Sequence, residues 1–304
     1  MARLSRGSRW LKVEALALVA AGLFALYLSS IGRFLPHDVA FLGMTAEQIC
    51  ADRGCRIVHF MIHDRASFGG ALVALGSLYY WLAAVPLRKR HAWAWWILLL
   101  SGLVGFSSFL AYLGYGYLDT WHGIATLTLL PCHVLGLRYA HSELAEPRGI
   151  STLSAISLDG RGRMLLMITA VGFFGAGLTI CTIGMTAVFV PEDLAFMGVQ
   201  PADLTALNPR LIPLIAHDRA GFGGVLCSLG VAMWGCVSYG PLSRGLWWIL
   251  LSAGCAGFGS TFLVHWAIGY DDLFHLAPAV VGAAIFTLGM GLSRPFRRGD
   301  EHVA

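Results

Sequence analysis

The sequence predicts an all-α integral membrane protein, with eight transmembrane helices arranged as two parallel tandem four-helix bundles. Three observations lead there. Of the 304 residues, 57% are hydrophobic and only 12% are charged, where a soluble domain carries about 25%. The apolar residues fall in continuous runs near the ~20 residues a helix needs to cross ~30 Å of hydrocarbon. The second half of the chain repeats the first, block by block.

The expected spans are 11–31, 68–87, 92–113, 121–137, 164–190, 222–239, 247–268 and 273–292. A transmembrane β-barrel needs alternating apolar and polar residues, and these runs are unbroken. The first run has a basic start, as a signal peptide does. No small-residue cleavage site follows it, and an equivalent run opens the second half, so it is read as a span.

Basic residues orient the chain. With the N-terminus in the cytoplasm, the inner side takes four in the N-terminal tail, Arg88 to Arg90, Arg138, Arg148, Arg161, Arg163, Arg244, Arg294, Arg297 and Arg298. The outer side keeps Arg33, Arg53, Arg56, Arg65, Arg210 and Arg219. This asymmetry satisfies the positive-inside rule with both termini cytoplasmic in a cell (inner) membrane. The net charge of +4 then reflects topology, and nothing points to a nucleic acid. The lipid bilayer is the expected partner.

Four blocks carry the repeat. Phe34-Leu-Pro-His-Asp-Val-Ala-Phe-Leu-Gly43 matches Phe189-Val-Pro-Glu-Asp-Leu-Ala-Phe-Met-Gly198. His63-Asp-Arg-Ala-Ser-Phe-Gly-Gly70 matches His217-Asp-Arg-Ala-Gly-Phe-Gly-Gly224. Trp95-Trp-Ile-Leu-Leu99 matches Trp247-Trp-Ile-Leu-Leu251. Gly116-Tyr-Leu-Asp-Thr-Trp-His122 matches Gly269-Tyr-Asp-Asp-Leu-Phe-His275. An even number of spans per repeat makes the halves parallel, related by an axis along the membrane normal. The first repeat covers 1–140, a cytoplasmic linker with Pro147 and Gly149 covers 141–162, and the second repeat covers 163–304. Gly69, Gly70, Gly76 and their counterparts Gly223, Gly224 and Gly230 suit close helix packing. The tryptophan pairs suit the inner aromatic belt.

The repeated polar residues collect on the outer side: Asp38, His63, Asp64, Arg65, Asp119 and His122, then Asp193, His217, Asp218, Arg219, Asp272 and His275. The histidines are expected to begin the second and fourth spans of each half. Those helices are diagonal in an up-down bundle, so His63 should face His122, and His217 should face His275. A facing histidine pair in an apolar bundle offers bis-imidazole ligation of haem iron. Asp64, Arg65, Asp119 and their counterparts Asp218, Arg219 and Asp272 then support the rings or meet propionates. Zinc or copper can use the same donors. In a purely structural alternative, Asp64 and Asp119 cap helices, and Arg65 pairs with Asp38 or Asp119. His133 has Phe286 as its counterpart. His37, His59, His91, His141, His265 and His302 have no matching histidine and are given no role. Of seven cysteines, only Cys50 and Cys55 fall in an outer loop, where an oxidising compartment allows a disulfide.

In architecture the chain resembles haem A synthase, with two tandem four-helix halves and one histidine at the outer end of each even-numbered span. The resemblance implies haem ligation by His63, His122, His217 and His275, an outer-loop cysteine pair at Cys50 and Cys55, and a haem-dependent membrane oxidoreductase. The family's His-Arg dipeptide becomes His63-Asp64-Arg65 here. Phe60 stands where the family places an acidic residue three before its first histidine. The wording of the repeated motif is closer to uncharacterised bacterial multi-pass proteins. A transporter or metal-binding membrane protein with an outer His/Asp site is the alternative, and a structural subunit is a third. Mid-span charges are nearly absent, which favours the haem reading over transport.

Overall fold

The computed structural model describes residues 6–53, 55–108, 110, 120–144 and 158–293, leaving out the side chains of 52, 53, 120–122, 158 and 159. Among the described residues the chain is all helix. It forms α1 (Arg6–Ser30), α2 (Pro36–Leu42), α3 (Ala46–Arg53), α4 (Arg56–Ala84), α5 (Ala92–Ser108) and α6 (Thr120–His141). There follow α7 (Leu158–Met185), α8 (Pro191–Met197), α9 (Pro201–Leu207), α10 (Leu211–Tyr239), α11 (Arg244–Ile268) and α12 (Leu273–Leu292). Six of these, α1, α4, α7, α10, α11 and α12, are long and apolar enough to cross a membrane, and α5 is a shorter apolar helix of 17 residues. This is a multi-pass, all-helical membrane protein.

The first repeated block builds α2 and α8, and its residues say why. Pro36 and Pro191 open the first turn, where a missing N–H costs nothing. Asp38 accepts from the Leu35 N–H at 3.2 Å and Asp193 from the Val190 N–H at 2.9 Å. Gly43 and Gly198 end each helix in the left-handed region, at φ 69° and 68°, where a side chain is strained. Between α2 and α4, Cys50 and Cys55 are disulfide-bonded.

The second repeated block lies inside a helix. α4 begins at Arg56 and α10 at Leu211, 12 and 11 residues ahead of the expected starts. His63 and His217 therefore sit in the second turn, and Asp64 does not cap its helix. Hydropathy ends a run at the first charges. Here those charges are neutralised by one another, so the helix continues through them.

α4 and α10 are the central helices: 78% of the apolar window of each is buried, against 22% for α1, α7 and α11. The adjacent glycines of the repeated motif explain this. Residues i and i+1 point about 100° apart on a helix, so a Gly-Gly pair opens two faces. On α4, Gly69 lies on Gly22 of α1, while Gly70 lies on Ala256 and Ser260 of α11. On α10, Gly223 lies on Gly177 and Cys181 of α7, while Gly224 lies on Ser108 of α5. Close backbone approach at small residues is the usual basis of helix association in lipid.

Each central helix therefore packs on the first long helix of its own half and on a helix of the other half. α4 meets α11 extensively and α5 hardly at all, and α10 meets α5 and α4. This differs from the expected pair of self-contained bundles. The halves share two apolar clusters, and each cluster draws residues from both.

Candidate functional site

His63, Asp64 and Arg65 are consecutive on α4 and so project in three directions. Arg65 reaches back to α2 and across to α10, with Nη2 2.7 Å from Asp38 Oδ2 and Nε 3.0 Å from Asp218 Oδ2. Asp64 accepts from Arg219 of α10, with Nε 3.3 Å from Oδ2. Arg219 also meets Asp193 of α8 at 2.8 Å and donates to the Val188 carbonyl at 2.6 Å. The two His-Asp-Arg motifs thus exchange partners, Asp64 with Arg219 and Asp218 with Arg65. Each arginine further holds the capping aspartate of the first short helix in its own half, Asp38 of α2 or Asp193 of α8. Rings cover the network: Arg65 lies over Phe34 at 5.3 Å and Arg219 over Phe60 at 4.9 Å.

His63 points a third way, towards α11 and α12. Its ring lies 4.8 Å from the His265 ring and 5.6 Å from the His275 ring, and those two are 5.2 Å apart. One nitrogen from each can be chosen so that all three lie within 4.8 Å of one another. The Nδ1 atoms are engaged elsewhere. His63 Nδ1 is 2.7 Å from the Phe60 carbonyl, and His265 Nδ1 is 2.7 Å from the Thr261 carbonyl. His275 Nδ1 is 3.1 Å from the Tyr270 hydroxyl, which itself donates to Asp193 Oδ1 at 2.9 Å.

A carbonyl can only accept, and Tyr270 has spent its proton on Asp193. All three histidines therefore carry hydrogen on Nδ1 and present a bare Nε2. The Nε2 of His265 is buried without a hydrogen-bond partner among the described residues. Burial, and then the Asp193 charge, push the Tyr270 hydroxyl above its ordinary range, so it stays a donor. Asp64 Oδ1 lies 3.7 Å from His63 Nε2.

The cluster closes one end of an apolar cavity of about 680 Å³ walled by α4, α7, α10, α11 and α12, with Phe173, Ile180, Phe222 and Phe258 among its lining residues. α7 and α12 touch near the start of α7 and the end of α12, where Gly162 meets Gly289 and Ser293. Farther along α7, Gly172 and Gly175 face open space. The cavity occupies this divergence.

The expected site residues fare differently. His63 and His275 meet, but across the halves, because α4 packs on α11 instead of α5. His217 is buried, with Nδ1 3.1 Å from Asp218 Oδ1. Asp272 caps α12 by accepting from the His275 N–H at 2.8 Å. Asp119 and the side chain of His122 lie outside the described residues, so the expected facing of His63 with His122 does too. The sequence reading gave His265 no role because it lacks a histidine counterpart; Tyr112 stands at the equivalent position. Its signal was the helical spacing from Thr261 and the nearness of Gly269-Tyr270, which turns the chain back on itself.

The near absence of mid-span charge also needs correction. Glu14 is buried within α1, and His133 of α6 pairs with it at 2.9 Å. Comparison with protein-family models, curated proteins and solved structures finds no match to the chain.

Proposed function

We propose that the protein is a metal-binding membrane protein. In this reading His63, His265 and His275 hold one first-row transition ion and present it to a membrane-soluble ligand in the adjoining cavity. The observation that carries the reading is the meeting of three imidazoles whose ring nitrogens come within 4.8 Å of one another, while each Nδ1 has a hydrogen-bond partner. Outer hydrogen bonds of this kind set the tautomer of metal-binding histidines and raise their basicity. Three neutral imidazoles suit zinc, copper or iron and leave a position for water or ligand. Asp64 Oδ1 stands near enough to fill that position or to take a proton from bound water. The Asp193–Tyr270–His275 chain ties the metal ligands to the arginine network.

Haem is the second reading, favoured by the apolar cavity and by the meeting of His63 with His275. The His265 ring stands beside the axis joining those two rings. It must rotate away before a porphyrin can lie between them. A haem-dependent oxidoreductase would follow from this reading alone, and an ion or metal transporter from the first.

The experiment is metal analysis with a visible spectrum on protein purified in detergent. The metal reading expects about one ion per chain, lost in His63→Ala, His265→Ala and His275→Ala alike, and no Soret band. The haem reading expects a Soret band that survives His265→Ala and is lost in the other two. A protein with neither metal nor colour after loading with zinc, copper, iron or haem overturns both.

The same reading places the His-Asp-Arg ends of α4 and α10 on the outer side and both termini in the cytoplasm. The distribution of basic residues supports this, as does a disulfide in the segment before α4, which belongs on an oxidising side. Eight spans follow if α5 and α6 cross together with the six longer helices. The exchanged Asp64–Arg219 and Asp218–Arg65 pairs, with the matched contacts of Gly70 and Gly224, support two parallel halves related by an axis along the membrane normal.

A further inference from the structure

We propose that Glu14 and His133 form a reversible proton-binding site inside the membrane, separate from the histidine cluster. Glu14 lies eight residues into α1, about 12 Å along the helix from Arg6 at 1.5 Å per residue. It is 1% exposed, and His133 is 3% exposed. The imidazole Nδ1 is 3.0 Å from one carboxylate oxygen and 2.9 Å from the other. One proton on Nδ1 thus serves both oxygens.

Nε2 is buried and has no hydrogen-bond partner among the described residues. It rests against the backbone of Gly102, where a side chain would occupy its place. The ring is held between Tyr79, stacked at 6.3 Å, and Phe106 at 5.6 Å. The pair therefore has one fixed proton and one vacant nitrogen. With Nε2 bare, the pair carries the carboxylate charge. With Nε2 protonated, carboxylate and imidazolium cancel. In a medium that penalises net charge, the second proton is taken up as a neutralising event.

Among the described residues no other counter-ion pairs with the carboxylate. The titratable groups that share its surroundings are Tyr79 from α4 and Cys132 from α6. From α5 come Ser101, Gly102 and Phe106, and from α10 comes Ser228, none of which titrates. Tyr79 donates to Ser101 Oγ at 2.8 Å, and Ser101 donates to the Ser228 carbonyl at 2.8 Å, so this hydroxyl chain is already saturated.

A purely structural clasp between α1 and α6 is not needed at this place. At the equivalent positions of the second half stand Thr169 and Phe286, and α7 and α12 meet one to two turns away, where Gly289 contacts Leu165, Leu166 and Gly162. Deep burial of a carboxylate and an imidazole on one side only therefore points to a role beyond holding two helices.

The test is nitrogen NMR of the full chain with ¹⁵N-labelled histidine in lipid nanodiscs, titrated between pH 5 and pH 9. His133 is assigned by loss of its signal in Glu14→Thr with His133→Phe, the pair found in the other half. That variant should fold, with a melting temperature close to the parent. The expected result is one protonation of His133 at Nε2, with Nδ1 protonated throughout. Removing the carboxylate charge in Glu14→Gln should move that protonation down by about one pH unit or more. Ring nitrogens that do not change over the range, or a titration unmoved in Glu14→Gln, overturn the proposal. If Glu14→Gln does not fold, the titration of the parent protein still decides it.

Discussion

Replacing Arg219 with methionine isolates the energetic weight of the exchanged arginine network. Methionine keeps an unbranched chain of similar reach but leaves the Asp64 and Asp193 carboxylates in a buried site without their cation. It also removes the 2.6 Å bond to the Val188 carbonyl. Breaking a buried pair from one side costs about 3–5 kcal/mol, because the remaining charge stays desolvated. For a chain of this size that loss lowers the melting temperature by roughly 10 °C. Asp64→Asn in the Arg219→Met background removes one of the stranded charges and should recover part of the loss. Partners in direct contact couple by about 1–3 kcal/mol in such a cycle. Tryptophan fluorescence melts in detergent read all four proteins. A melting temperature unchanged to within about 2 °C, or strictly additive losses, would refute the claim that the network is desolvated and joined.

The outer placement of the disulfide is checked by labelling intact cells with a membrane-impermeant maleimide: Cys50 and Cys55 should react only after reduction, and labelling only after permeabilisation would reverse the orientation. Gly70→Ala forces a methyl group into Ala256 and Ser260 of α11 and should cost about 1–3 kcal/mol by overpacking. Gly259→Ala, where nothing lies within 4 Å, should be neutral or slightly stabilising, and equal effects at the two positions would sink the packing argument.

The helices were legible because apolar runs of the right length have one solution in lipid. Asp38 was legible as a partner of Arg65, since a capping aspartate beside a repeated arginine suggests a pair. The true starts of α4 and α10 were not, because a hydropathy window cannot see that Asp64 and Asp218 are neutralised by arginines about 150 residues away. Nor could the sequence reveal which half's helix His63 faces. That depends on whether Gly69 or Gly70 opens towards α11, a difference of one residue in an unbroken glycine pair. The filter that demanded a repeated histidine removed both His265 and His133, the two positions where the halves differ most in chemistry.

Where the halves agree, in the aspartates, arginines and paired glycines, the side chains hold helices together. Two nitrogens buried without a hydrogen-bond partner among the described residues, His265 Nε2 and His133 Nε2, stand where the halves disagree. His265 stands where the first half has Tyr112, and it completes the cluster with His63 and His275. His133 and Glu14 stand where the second half has Phe286 and Thr169, and they place a buried nitrogen without a hydrogen-bond partner among the described residues between α1 and α6. In the proposed sites the unshared residues His265, Glu14 and His133 act beside the shared His63 and His275. The metal site we propose draws on the second half's α11 and α12, and the proton site we propose on the first half's α1 and α6. The central helix α4 joins them, since His63 at one level and Tyr79 sixteen residues farther, about 24 Å along the helix, line the two sites in turn.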